Sequence, residues 1–220
     1  MATSRTYGDR CGVARALDVV GERWALLVVR ELLLGAKRFT DLRSGLPRVS
    51  ADVLAQRLRE LEDAGIVQRR TLPPPASSKV YELTPRGAEL EPVVVALGRW
   101  GANTPPPPAD VGMSVDSLMV SLKTLFEPSL AGGLDASFEL QLDEHRFRAE
   151  VAGGRLVLQR GEAAAPDAMI TTDPATLLAL IRGRRELAAA RRAGDIAISG
   201  DEPAASRLLT LFPLPDRAAA

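Results

Sequence analysis

Ser50, Gln56, Arg57 and Arg59 carry side chains suited to reading a base edge or gripping a phosphate. Gln can pair doubly with adenine in the major groove, and Arg with guanine. All four fall in SADVLAQRLRELEDAG, residues 50–65, where Leu54, Leu58 and Leu61 recur at helical spacing as one apolar stripe. At about 100° per residue, the opposite face holds Asp52, Gln56, Arg59 and Asp63. Arg57 points between the two faces, so bracing its own domain is the alternative to a nucleic-acid contact. Ser50 is an N-cap, because its hydroxyl can accept from a free N–H of the first turn. Asp52 sits where the helix dipole favours an anion, and Gly65 ends the helix where the chain turns left-handed.

The flanking elements must position that helix. Upstream, Cys11 to Leu34 is apolar at helical spacing and is broken at Gly21, which predicts helices near 12–20 and 23–34 with Trp24, Leu27, Val28 and Leu32 inward. A short helix opens at Phe39 and ends near Pro47. Arg38 and Thr40 lie at its N-terminus, which suits a phosphate. Downstream, Ile66-Val67 and Val80–Leu83 read as two strands around LPPPASSK, a tip too long for a two-residue turn. Ser78 and Lys79 lie on that tip. Two helices joined by a turn and followed by a hairpin form the layout of a winged helix-turn-helix. Thr84-Pro85 then starts a further apolar helix through Leu90, Val94, Leu97 and Trp100, since proline is welcome at the first helical position. Its apolar length predicts a surface for a second copy, or closure of its own core.

Composition sets bounds. The chain has 220 residues, 46% apolar and 25% charged, an ordinary globular balance with room for two small domains. Net charge is zero, but residues 1–104 hold 16 Lys+Arg against 12 Asp+Glu (+4), and residues 105–220 hold 12 against 16 (−4). The basic half is the one with the helix-turn-helix pattern, as phosphate contacts require. One cysteine, Cys11, and one histidine, His145, allow neither an internal disulfide nor a Cys- or His-built metal site. No run approaches the roughly 20 apolar residues of a membrane span, and the N-terminus lacks a signal peptide's apolar stretch, so a cytoplasmic location is expected. There is no Gly-rich phosphate loop, His-Glu-x-x-His or nucleophile elbow. No catalytic residue, metal or cofactor is expected, and the chain reads as a non-enzyme.

The pattern Cys11…Gly21-Glu22-Arg23-Trp24…Arg30-Glu31-Leu32…Gly35…Arg38-Phe39…Ser50…Leu54…Arg57-Leu58…Leu61…Gly65-Ile66-Val67…Tyr81…Leu83-Thr84…Gly87…Trp100-Gly101 resembles the HxlR-type family of bacterial transcription regulators. The family often has Gly-Lys-Trp where this chain has Gly21-Glu22-Arg23-Trp24. The resemblance implies a winged-helix homodimer on a two-fold DNA operator in a bacterial, nucleoid-associated setting. It implies DNA contacts by Ser50, Gln56, Arg57 and Arg59 at the groove, Arg38 and Thr40 at a phosphate, and Ser78 and Lys79 on the wing. Some members use a cysteine near this position to sense oxidants. Cys11, near Arg10 and Arg15 at a helix start, is the candidate here, with a small core residue as the plainer reading.

Thr104 is followed by four prolines, which favour a stiff extended segment. The expected division is a DNA-binding domain at 1–104, a linker at 105–111 and a second domain at 112–220. In that second domain, helix 115–125 precedes strands near 138–142, 147–151, 156–158 and 168–172. Helices near 175–181 and 185–193, a short strand at 196–198 and a final helix from Asp201 to Leu211 follow. Residues 167–212, including DAMITTD and GDIAISGD, resemble the sterol-carrier-protein-2-like family. The whole is then α+β, a winged helix-turn-helix joined to an SCP2-like domain. That resemblance implies a tunnel for an apolar small-molecule effector. Strand and helix alternation nominates Phe138, Leu140, Phe147, Met169, Leu178 and Ile181 as its lining. The alternatives are a hydrophobic-ligand carrier whose winged helix makes protein contacts, and a second domain that is only structural.

Overall fold

The computed structural model describes residues 6–74, 77–104 and 113–213. The expected linker at 105–111 lies outside the described residues. The chain divides into two compact units, Met1–Val94 and Val95–Ala220.

The first unit runs α1 (Gly12–Val20), α2 (Ala25–Leu32), α3 (Phe39–Gly45), α4 (Ala51–Asp63), β1 (Val67–Thr71), β2 (Lys79–Leu83), α5 (Pro85–Ala88) and the start of α6 (Glu91–Gly101). Its core is Val28, Val29, Leu32, Leu42, Leu46, Val49, Leu54, Leu58, Leu61, Ile66, Val67 and Val80. On α2 the buried set is Ala25, Val28, Val29 and Leu32, the i, i+3, i+4, i+7 stripe of a half-buried helix. Leu27, expected inside, falls about 100° away from Val28 and is exposed. Trp24, also expected inside, is half-buried and takes φ +81°. That left-handed backbone starts α2 at Ala25 rather than at 23.

The helix expected from Thr84 to Trp100 is two helices. Thr84 caps α5 by accepting from Gly87 N at 3.1 Å. The chain then tightens, with Leu90 N bonding back only three residues to Gly87 O at 3.1 Å. The last turns of α6 pack within the second unit, which explains why the division falls inside this helix rather than at 104. Arg99 donates from Nε to Thr124 O at 3.0 Å and from Nη2 to Phe126 O at 3.4 Å. A Cβ on Gly98 would sit 2.8 Å from Thr124 Oγ1, so only glycine permits that approach.

The second unit continues with α7 (Val115–Leu125), α8 (Pro128–Ala131), β3 (Ala136–Leu142), β4 (His145–Ala152), β5 (Arg155–Arg160), β6 (Ala168–Thr172), α9 (Pro174–Ile181), α10 (Leu187–Ala193), β7 (Ile196–Gly200) and α11 (Glu202–Leu208). One sheet runs in the order β5-β4-β3-β6-β7, with β3 and β6 parallel and the other neighbours antiparallel. Phe138, Leu140, Leu142, Phe147, Ala149, Val151, Leu158, Ala168 and Ile170 form its buried face. Leu118, Met119 and Leu122 of α7, Leu177 of α9, and Ala205 and Leu208 of α11 supply the helical layer of the core.

Candidate nucleic-acid interface

The turn between α3 and α4 is closed from within. Leu46 N bonds Leu42 O at 3.0 Å, Val49 N bonds Leu46 O at 3.1 Å, and Val49 is buried. Ser50 then caps α4, its Oγ accepting from Val53 N at 3.3 Å. Leu54, Leu58 and Leu61 face the core, which leaves the first turn and the polar flank of α4 outward. At the far end Gly65, at φ +68°, turns the chain into β1.

The side chains nominated for contact differ in exposure and in how far they are already engaged. Ser50, Arg38, Thr40, Arg59 and Lys79 are exposed. Gln56 is half-buried and engaged at both ends, donating from Nε2 to Glu60 Oε1 at 2.7 Å and accepting from Arg59 Nη2 at 2.7 Å. Arg57 pairs with Glu60 at 2.5 Å and reaches Glu22, in the α1–α2 turn, at 3.6 Å. Its geometry is that of a brace between elements. At the start of α3, Asp41 Oδ2 already accepts from Arg38 N at 3.1 Å, and Thr40 Oγ1 donates to Asp41 Oδ1 at 3.3 Å. A phosphate there would meet the Arg38 guanidinium rather than a vacant helix end.

The hairpin pairs Val67 with Leu83 through Thr71 with Lys79. Ser78 is half-buried, and its carbonyl accepts from Leu72 N at 2.9 Å. Several basic groups of the hairpin are matched by acids: Arg69 donates to Glu62 at 2.7 Å, and Arg70 to Glu82 at 2.9 Å. Burial alone would push the Glu82 carboxyl up, but the hydrogen bonds from Arg70 and Gln68 hold it below its ordinary value. The bond to Glu62, followed by the field of Tyr81, lifts the Arg69 guanidinium further. The exposed basic surface is therefore narrower than the count of arginines implies.

Beneath this surface lies a buried polar knot that helical periodicity does not signal. Glu31 is fully buried and accepts from Arg30 Nη2 at 2.8 Å and from Lys37 Nζ at 2.6 Å. Lys37 also pairs with Tyr81 through both backbone groups, at 2.9 and 2.8 Å. The knot therefore joins α2 to the wing strand β2.

In the second unit an apolar seam of about 10 Å³ is lined by residues including Leu122, Leu140, Ala149, Leu158, Leu177, Ile181, Leu208 and Phe212. Of the six nominated tunnel residues, Leu140 and Ile181 reach it. Phe138 and Phe147 are fully buried on the same face of the sheet but do not line it. Leu178 is half-buried on α9. Met169 pairs with Glu139 across β3 and β6 and so belongs to the opposite face, because strand side chains alternate. A space of 10 Å³ holds no more than about one water.

His145 lies 3.2 Å from Arg160 Nη1 through Nδ1, at the edge of a pair between Arg160 Nη2 and Asp116 Oδ2 at 2.6 Å. Among the described residues no three His, Cys, Asp or Glu side chains converge as a metal site needs, and no helix is long and apolar enough to cross a membrane.

Comparison with known proteins places these units. Residues 19–107 match the family described as HxlR-like helix-turn-helix. Residues 109–218 match the one described as alkyl sulfatase C-terminal, where the sequence resemblance had pointed to an SCP2-like domain. Over 86 residues the chain is 37% identical to the uncharacterized HTH-type transcriptional regulator YvaP of Bacillus subtilis, spanning 39% of this chain and 80% of that one. Identity to the HTH-type transcriptional regulator YodB of the same species is 36% over 85 residues, 39% of this chain and 76% of that one. Among solved structures, the inverting sec-alkylsulfatase Pisa1 from Pseudomonas sp. is 16% identical with a TM-score of 0.43, covering 46% of this chain and 16% of that enzyme. The chain belongs to the HxlR-like helix-turn-helix family through its first half and to the alkyl sulfatase C-terminal family through its second.

Proposed function

We propose that the protein is a DNA-binding transcriptional regulator that acts as a homodimer on a two-fold operator. The observation that carries this reading is α4 itself, capped by Ser50, its first turn outward and a hairpin beside it, within a domain of a regulator family. Arg38, Arg59 and Lys79 supply phosphate contacts, Thr40 and Ser78 lie beside them, Ser50 and Gln56 lie at the groove, and Arg57 braces α4. Two copies of α4 would enter successive major grooves about 34 Å apart. For the dimer, α6 leaves Val93, Leu97 and Trp100 exposed at i, i+4 and i+7, with Trp100 73% exposed. α1 leaves Val13 and Leu17 exposed. Fluorescence anisotropy with a labelled fragment from upstream of the gene, against a scrambled fragment at two salt concentrations, tests the reading. Sequence-dependent binding that weakens with salt is expected; equal binding, or binding indifferent to salt, overturns it.

The division expected at residue 104 enters this reading in modified form, with α6 shared between the two units. The second unit, whose sequence resembles SCP2-like domains, takes an apolar effector by opening the seam among α7, α9 and α11, since the closed seam is too small for one. A ligand that binds the folded state raises stability, so dodecanoate as a probe is expected to raise the melting temperature and to alter DNA affinity. A carrier role needs a larger standing cavity and is less well supported. No catalytic role is assigned to this unit.

Redox control through Cys11 is a second reading with its own observation. Cys11 is exposed at the N-cap position of α1, and the nearby backbone N–H groups of Ala14 and then Val13 hold its thiol below the ordinary range. The thiolate is the nucleophile. Oxidant-treated protein should lose or gain DNA affinity, and Cys11→Ser should abolish that response while leaving reduced-state binding intact. An unchanged response in the variant removes the reading.

A further inference from the structure

Val53 is an exposed apolar side chain in the first turn of α4. The later turns of α4 carry outward polar groups that engage one another, Gln56 with Glu60 and Arg59, and Arg57 with Glu60 and Glu22. The first turn is different. The Ser50 hydroxyl oxygen accepts from the Val53 backbone N–H, and Val53 stays 40% exposed. Among the described residues it is the one exposed large apolar side chain on α4. Valine is a weaker helix former than alanine or leucine, and with Leu54, Leu58 and Leu61 facing the core, Val53 keeps two-fifths of its surface open to a partner.

A helix that enters the major groove touches base edges with its N-terminal residues. The apolar feature presented there is the C5-methyl of thymine. We propose that Val53 is a specificity-determining residue that packs its isopropyl group on a thymine methyl in each half-site of the operator. Gln56 can read an adjacent base only by exchanging its present partners, whereas Val53 requires no such exchange. The inference rests on the DNA-binding reading above.

The full-length protein is first used to enrich a tight duplex from a random-sequence library. Each thymine of that duplex is then replaced in turn by 2′-deoxyuridine, which lacks only the C5-methyl. One position per half-site should lose binding by roughly four-fold, the weight of about one buried methyl-sized group. Val53→Ser should bind the thymine and uracil duplexes equally, with an unchanged dependence on salt because every phosphate-binding cation remains in place. If no thymine proves sensitive, or if Val53→Ser keeps the sensitivity, the assignment is overturned while the regulator stands. If no duplex is enriched and binding ignores salt, the regulator reading falls and Val53 with it. The uracil scan uses the unaltered protein, so its outcome does not depend on the variant folding.

Discussion

Both units pair acids with arginines at the surface, Arg146–Glu162 and Arg191–Glu202 among them in the second, but they differ in what surrounds their buried charges. In the first, acids and arginines meet on the outside of α4 and the hairpin, as in Arg57–Glu60, Arg69–Glu62 and Arg70–Glu82, and one pair, Glu31–Lys37, is held inside. In the second, charge is drawn into the fold where sheet and helix meet. Arg160 lies 4.9 Å over the Phe147 ring and bonds buried Asp116, while buried Glu139 accepts from Ala163 N at 2.9 Å. An outward charge on an amphipathic helix violates no folding rule and is free to serve a partner. An inward charge must be satisfied by its neighbours, and so its role is structural before it is anything else.

The largest effects should come from the interior of each unit. Phe138→Ala removes a fully buried ring and is expected to cost about 3–5 kcal/mol in chemical denaturation. A loss under about 1 kcal/mol would show that the sheet and helices close over the gap, and hence that the seam is easily remodelled by a ligand. Glu31→Gln keeps the size but removes the charge between Arg30 and Lys37. Breaking a buried pair costs about 3–5 kcal/mol, and this change should reach the lower end of that range. No change in stability would mean that the knot is held by its backbone pairing to Tyr81 alone.

Surface changes in the first unit should show the reverse profile. Arg38→Ala and Lys79→Ala each remove an exposed cation. Stability should stay within about 0.5 kcal/mol, while the slope of log affinity against log salt should fall by about 0.9 for each phosphate no longer neutralised. Arg57→Ala tests the contrast directly. As a brace to Glu22 and Glu60 it should cost stability with little change in that slope, and a full slope change would return Arg57 to the DNA-contacting set.

The order of helices and strands was legible because local signals agree with the fold. Ser50, Thr84 and Asp173 cap the helices they introduce, and the β3 and β4 alternation places Phe138, Leu140, Phe147 and Ala149 on the buried face. The failures also have physical causes. In AMITT each parity carries one large apolar side chain, Ile170 on one and Met169 on the other, so alternation alone does not say which of the two is inside. Periodicity gives no sign that Glu31 and Glu139 are buried, because their partners come from Lys37, Arg146 and the Ala163 loop. The candidate contact residues were legible as residue types, but their engagement was not. Gln56 looks free on a helical wheel and is bonded at both ends in the fold.

The smallest predicted effect separates the units by acidity. The nominated interface helix α4 is capped by a hydroxyl, Ser50, whereas α9 is capped by a carboxylate that accepts from Ala175 N and Thr176 N at 2.9 Å each. Hydrogen bonds from Thr176, with Ala175 adding to them, hold the Asp173 carboxyl below its ordinary value. Because the folded-state value is the lower one, the stabilisation is complete above the ordinary carboxylate value of about 3.9. It is lost as pH falls toward and through the lowered native value. Asparagine caps about as well as aspartate but does not titrate in this range. Asp173→Asn should therefore change stability at neutral pH by less than about 1 kcal/mol and flatten part of the acid limb of the second unit's unfolding curve. An acid limb of unaltered steepness in the variant would place the acid sensitivity of this unit in other carboxylates, with Asp167, held low by Ser137, the next to replace.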